Sequence, residues 1–300
     1  MRLSQLRDFL SILEAGSVRG AARRLDVSQP ALTKSLRQLE LELGIKLFQR
    51  TPTGVIPTRF GKALSVRARS VRAELRKAEE ELGKLAGDER GSVAFGVGTV
   101  VTVVMVPQAI RQFRTQFPQA RVRIMEGLPH VLLPLVRDET LDLVVGARPS
   151  GPIDSVFHFR PLFRSPRAVV ARKGHPLANA GSLTELASAD WLGLPPFGHW
   201  SETQAPLTPP ILQDARQLIE CDSYNSVVAL LAGTDMVAIL SRRLLSEPYA
   251  REYLQEIKVR ERLPSFSVGL FSRADTPLSP AASAMAKALV ATARQLQKMD

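Results

Sequence analysis

Three hundred residues, 45% hydrophobic and 23% charged, have the composition of an ordinary soluble globular protein with room for two or three domains. The single cysteine, Cys221, excludes an intrachain disulfide and fits a reducing cytoplasm, and the apolar runs at 100–106 and 227–232 are too short to span a bilayer, so no membrane partner is expected. Net charge is +11 and unevenly placed: residues 1–90 carry 18 Lys and Arg against 11 Asp and Glu, whereas residues 91–300 carry 22 against 18, which points to a phosphate-bearing partner for the first third.

The chain begins Met1-Arg2-Leu3-Ser4-Gln5-Leu6-Arg7-Asp8 without an apolar stretch, so no export signal is expected and the location is read as cytoplasmic. Leu3, Leu6, Phe9, Leu10 and Leu13 recur at helical spacing and predict a first helix ended by Gly16. Ser17 suits the N-cap of a short second helix, in which Ala21 and Ala22 leave room for a close neighbour. Asp26-Val27 interrupts the pattern. Ser28 then caps a longer helix, with Pro30 in the first turn, where a missing N–H costs little. Leu32, Leu36, Leu39 and Leu43 form its inward face, and Gln29, Thr33, Lys34 and Arg37 the opposite one. Two helices joined by a tight turn, the second carrying donors and positive charge, make a helix-turn-helix reader of the DNA major groove. Gln29, Thr33 and Lys34 are expected at base edges and Ser28, Arg37 and Arg50 at phosphates, with Pro30 in the same contact set.

Gly44 ends that helix. Leu47-Phe48 reads as a short strand, Arg50-Thr51-Pro52-Thr53-Gly54 as a turn, and Val55-Ile56 as a return strand. Thr58 caps a proline-free helix to about residue 85. Its Leu64, Ala68, Val71, Leu75, Ala78, Leu82 and Leu85 step alternately by four and three, a heptad seam that predicts dimerisation. Gly87-Asp88-Glu89-Arg90-Gly91 is a hinge. Beyond it, strand-like runs at 93–97, 122–125 and 141–145 alternate with helical runs at 107–117 and 131–136. Further runs follow at 157–163, 167–172, 216–220, 227–232, 236–240 and 266–271, and a final helix covers about 280–297. Alternating strands and helices predict a parallel sheet flanked by helices.

The chain resembles the LysR-type transcriptional regulators. In the first part the likeness rests on Phe9, Gly16-Ser17, Ala21-Ala22, Leu25, Ser28-Gln29-Pro30-Ala31, Leu39-Glu40, Leu43-Gly44, Leu47-Phe48, Arg50, Thr58 and Gly61. Beyond residue 91 it rests on Glu126-Gly127, Leu141-Asp142, His175-Pro176-Leu177 and the 227–239 run. The chain departs from the family at Thr51-Pro52-Thr53, where relatives often place a basic wing tip, and at Leu240-Ser241, where Leu-Pro is common. The resemblance implies an α/β protein with an N-terminal all-α winged helix-turn-helix over 1–58 and a linker and dimerisation helix over 59–88. It implies an effector-binding domain over 91–300, built as two α/β subdomains of the type 2 periplasmic-binding-protein kind. Subdomain I would hold 91–161 and 268–300, and subdomain II 162–267. The partners it implies are double-stranded DNA, a small-molecule effector, a second copy through the linker helix, a homotetramer and RNA polymerase. Effector binding would rotate the subdomains, re-space the reading heads and alter DNA bending.

Two-subdomain sheets bind ligands in the cleft between them, at strand carboxyl ends. Thr99, Val100 and Thr102 follow the 93–97 strand, where backbone N–H groups and the two threonine hydroxyls are expected to hold a carboxylate. Gly127, Leu128, Gly146, Ala147, Arg148 and Ser223 lie after or near other strand ends, and Pro195-Pro196-Phe197-Gly198 forms a rigid loop with an aromatic wall, a mix of hydroxyls, apolar walls and one arginine. A small organic acid is the expected effector. No catalytic residue, metal ligand or cofactor is expected. Gly96-Val97-Gly98 opens like a dinucleotide fingerprint but has Val101 at the third glycine position, and His130, His158, His175 and His199 are scattered. The competing readings are a solute-binding module and an α/β enzyme. The missing export signal and the basic first third weigh against one, the missing catalytic constellation against the other.

Overall fold

Three short helices open the chain: α1 (Leu3–Ala15), α2 (Val18–Leu25) and α3 (Gln29–Leu43). They belong to a computed structural model that describes residues 1–52, 54–85, 91–149, 151–193, 218–221 and 223–298. Each helix begins and ends where local chemistry dictates. Ser17 accepts from the Gly20 N–H at 3.1 Å and Ser28 from the Ala31 N–H at 3.3 Å, while Gly16, Asp26 and Gly44 close the helices in the left-handed region. Phe9, Leu10, Ile12, Ala21, Ala22, Leu32, Leu39 and Leu47 are buried together, and the Phe9 and Phe48 rings lie 5.3 Å apart. Leu43 does not join them. It is 37% exposed, because the chain turns at Gly44 and Ile45 packs on the core in its place.

The hairpin β1 (Phe48–Thr51) and β2 (Gly54–Pro57) follows, pairing Phe48 with Pro57 and Thr51 with Gly54. The Val55 N–H donates to the Gly16 carbonyl at 2.9 Å, tying the wing to the α1–α2 turn. Gly54 has φ +147°, and a Cβ there would fall 2.3 Å from that same carbonyl oxygen. Thr58 Oγ1 accepts from the Gly61 N–H at 3.1 Å and starts α4 (Arg59–Leu85). The heptad seam divides along α4. Leu64 and Ala68 pack into the first core, whereas Val71, Leu75, Ala78, Leu82 and Leu85 are exposed.

The chain divides into two units, Met1–Leu82 with Asp138–Thr140, and Gly83–Arg137 with Leu141–Asp300. The second unit contains β3 (Ser92–Val97), α5 (Thr99–Val104), α6 (Val106–Arg114), β4 (Arg121–Glu126), α7 (Pro129–Arg137), β5 (Leu143–Ala147) and β6 (Phe157–Ser165). It continues through β7 (Arg167–Arg172), β8 (Asp190–Gly193), β9 (Leu218–Glu220), α8 (Tyr224–Gly233) and β10 (Met236–Ser241). A 3-10 turn (Arg242–Ser246), α9 (Pro248–Tyr253), β11 (Leu254–Ile257), β12 (Phe266–Arg273) and α10 (Pro280–Lys298) complete it. No described helix is long and apolar enough to cross a membrane.

Two five-stranded sheets result, ordered β4-β3-β5-β12-β6 and β11-β7-β10-β8-β9. They are mixed, not parallel as the alternation predicts. β3 runs parallel to β4 and β5, but β12 is antiparallel to β5 and β6, and β7 to β10 and β11. The antiparallel pairs arise because β6 and β12 are the strands by which the chain leaves and re-enters the first lobe. The crossings expected near Pro161 and Val268 fall inside those strands, since β6 stays in the first sheet to Ser165, paired with Phe266. Beside the crossing, Ser165 Oγ and Ser241 Oγ lie 2.6 Å apart, both buried. Apolar clusters cover each sheet on both faces. The apolar run at 99–104, expected as a loop ahead of one helix at 107–117, is the helix α5, and α6 ends at Arg114. Val101 and Met105 draw that run into the core, which outweighs the weak helix propensity of its β-branched residues.

Candidate nucleic-acid interface and effector cleft

The outer face of α3 gathers its polar residues. Gln29, Pro30, Thr33, Lys34 and Arg37 line one open groove on the surface, with Ser28 at its head. Thr33 Oγ1 donates to the Gln29 carbonyl at 2.9 Å, so its methyl group and lone pairs are what it can offer outward. Ser28 spends an acceptor on the Ala31 N–H and keeps its hydroxyl proton. Lys34, Arg37 and Arg50 are exposed and form no ion pair among the described residues. Arg50 stands apart from the groove, on β1 of the wing. The wing-tip residue Thr53 lies outside the described residues.

Several other cations of this unit are neutralised within it. Lys46 pairs with Glu40 at 2.7 Å, and Arg24 and Arg72 both bind Glu14, joining α1, α2 and α4. Burial opposes the charge on Glu40, but the Lys46 ammonium and the N–H groups of Leu47 and Phe48 outweigh it and hold the carboxyl below its ordinary range. For Glu14, burial is likewise overcome by Arg72 and Arg24. Sorted this way, the uncompensated positive charge includes Arg19 and Arg23 of α2, which the sequence pattern did not single out. Their one sequence signal is a spacing of one helical turn along α2.

In the second unit β3 lies between β4 and β5, so the ends of three parallel strands meet. The Gly98 N–H donates to Val145 at 2.9 Å and the Gly127 N–H to Val97 at 3.1 Å, which draws Thr99, Leu128, Gly146 and Ala147 to one edge. Thr99, Val100 and Thr102 sit on α5 rather than on a loop, and the Thr102 N–H is taken by the Gly98 carbonyl at 3.0 Å. Val100 and Val103 pack on the apolar cluster of the second lobe, as do Cys221 and Tyr224. Ser223, exposed at the head of α8, comes from that lobe too. Pro195 and Phe197 lie outside the described residues. Two further groups converge here. Glu126, the last residue of β4, accepts from Thr99 Oγ1 at 2.9 Å, and the buried Tyr224 hydroxyl has no hydrogen-bond partner among the described residues. Burial first, then the Glu247 and Glu126 carboxylates, push that hydroxyl up to about 12.

Comparison with known proteins follows the same division. The family described as "LysR substrate binding domain" matches residues 86–294, and "Bacterial regulatory helix-turn-helix protein, lysR family" matches residues 3–62. The HTH-type transcriptional regulator GbpR of Azospirillum brasilense is 29% identical over 294 residues, covering 96% of this chain and 86% of that protein. The SDS degradation transcriptional activation protein of a Pseudomonas species is 30% identical over 293 residues, covering 94% of each. A full-length OxyR variant from Pseudomonas aeruginosa shares the fold with a TM-score of 0.69 at 24% identity, covering 98% of this chain and 95% of that one. With both parts matched, this chain belongs to the LysR family of helix-turn-helix transcriptional regulators, proteins that bind DNA and answer to small-molecule effectors and are not enzymes.

Proposed function

We propose that α3 enters the major groove with Gln29, Thr33 and Lys34 at base edges, and that Ser28, Pro30, Arg37 and Arg50 lie along the sugar-phosphate backbone. The observation that carries this reading is the single groove lined by Gln29, Pro30, Thr33, Lys34 and Arg37, with Lys34 and Arg37 free of counter-charge among the described residues. Lys34→Ala is expected to weaken operator binding by about 1–3 kcal/mol and to relax base preference at one position, read by gel shift on upstream DNA. Unchanged affinity and unchanged preference would remove Lys34 from the reader.

The division of labour we infer has the reading head at 1–58, the linker helix at 59–88 and the effector domain at 91–300. The exposed half of the heptad seam on α4 supports dimerisation through that helix, with a tetramer as the working assembly in the cytoplasm and RNA polymerase as a further partner. A small organic effector binds where Thr99, Val100, Thr102, Leu128, Gly146, Ala147 and Ser223 converge, and acts by favouring one arrangement of the assembly over another. The same gel shift, run with candidate effectors, tests this: Thr99→Ala is expected to blunt the response and leave binding by the effector-free protein intact.

A further inference from the structure

One strand end of the effector cleft presents charge of the opposite sign to the one a plain organic acid requires. Thr99 Oγ1 donates to Glu126 at 2.9 Å and Thr102 Oγ1 to the Gly98 carbonyl at 3.3 Å, so both hydroxyl protons are spent inside the protein. The group left facing outward is the Glu126 carboxylate. It is exposed, and Thr99 is its sole hydrogen-bond partner among the described residues. Arg148, just past β5, keeps its charge but forms no ion pair with Glu126 among the described residues. Its guanidinium donates to the carbonyls of Pro149 and Gly151 and lies over the Phe159 ring.

The second lobe supplies the complementary group. Tyr224 packs on the same apolar cluster as Val100, Val103 and Cys221, its hydroxyl is buried without a hydrogen-bond partner among the described residues, and the Glu247 and Glu126 carboxylates help to raise its pKa. Glu247 is already committed to capping α9, through the Ala250 N–H at 2.8 Å. A carboxylate without an ion pair and an unfilled hydroxyl, one from each lobe and linked by α5, whose Thr99 binds Glu126 and whose Val100 and Val103 pack on the Tyr224 cluster, call for a ligand with a cationic head, an apolar stem and an oxygen acceptor.

Resting on the reading of this cleft as the effector site, we propose that Glu126 and Tyr224 set its specificity and select a small ammonium- or guanidinium-bearing molecule over a dianionic acid. Glu126 takes the cation, and the Tyr224 hydroxyl donates to an oxygen of the same molecule. Thermal-shift titrations of the full chain with L-lysine, cadaverine and glutarate test this, on wild type, Glu126→Gln and Tyr224→Phe. L-lysine and cadaverine are expected to raise the wild-type Tm, and glutarate is not. Glu126→Gln weakens both amines by about tenfold or more, the worth of one charged hydrogen bond. Tyr224→Phe weakens L-lysine but leaves cadaverine, which has no oxygen, unchanged. A Tm raised by glutarate alone, no shift with either amine, or an amine response that survives Glu126→Gln would each overturn the proposal. Thr99→Ala in the same titrations separates the two failures. If it abolishes a response to glutarate, the cleft stands and only the specificity assignment falls; if no compound shifts the Tm, or a response survives Thr99→Ala, the reading of the cleft falls with it.

Discussion

Lys34 and Glu40 share one helix and show how differently a charge is used at an outer and an inner position. Lys34 is exposed and unpaired, whereas Glu40 is buried and binds Lys46, the Leu47 N–H at 2.8 Å and the Phe48 N–H. Glu40→Ala is therefore expected to cost about 1–3 kcal/mol of stability, measured by urea unfolding, since it strands the buried Leu47 and Phe48 N–H groups while the exposed Lys46 ammonium returns to water. Because Glu40 and Glu14 have folded-state pKa values below their ordinary ones, the stability they supply is fully present above the ordinary carboxylate range. It is lost as pH falls through the lowered values, so urea midpoints at pH 7 and pH 3 should differ more for wild type than for Glu40→Gln. Gly54→Ala should loosen the wing, because its methyl would meet the Gly16 carbonyl at 2.3 Å in a backbone region that suits glycine. Arg37→Ala should lower the slope of log affinity against log salt by about one without changing base preference. The polar face of α3 was legible in the sequence because Gln29, Thr33, Lys34 and Arg37 recur at helical spacing. Glu126 was visible only as half of a family dipeptide, since its role depends on a tertiary hydrogen bond to Thr99.

At the scale of elements, α4 carries two functions on one seam. Leu64 and Ala68 anchor the helix to its own domain, while Leu75 and Leu82 are 42% and 67% exposed. Glu substitutions at Leu75 and Leu82 should leave the fold intact and split the dimer, seen in sedimentation velocity as a halved mass, with operator affinity falling as the two heads uncouple. An unchanged mass would assign the assembly to another surface. Periodicity located this helix, the first three helices and most strands, because an amphipathic pattern forms wherever one face is buried. It failed at Thr99–Val104, where a β-branched run is pulled into helix by the cores on either side. It also failed at strand direction, since nothing in the local pattern of β12 says that it returns antiparallel between β5 and β6.

For the molecule as a whole, charge and architecture are separately placed. The excess of Lys and Arg lies in residues 1–90, so salt should weaken DNA binding steeply while leaving effector binding by the second unit much less affected. Within that second unit, α5 begins at the end of β3 in one lobe yet presses Val100 and Val103 into the apolar cluster of the other. Neither lobe can then melt without stripping the other of part of its interior. Calorimetry of the effector domain should accordingly record one heat-absorption peak, with calorimetric and van't Hoff enthalpies in agreement, and Val103→Ala should drive the two values apart.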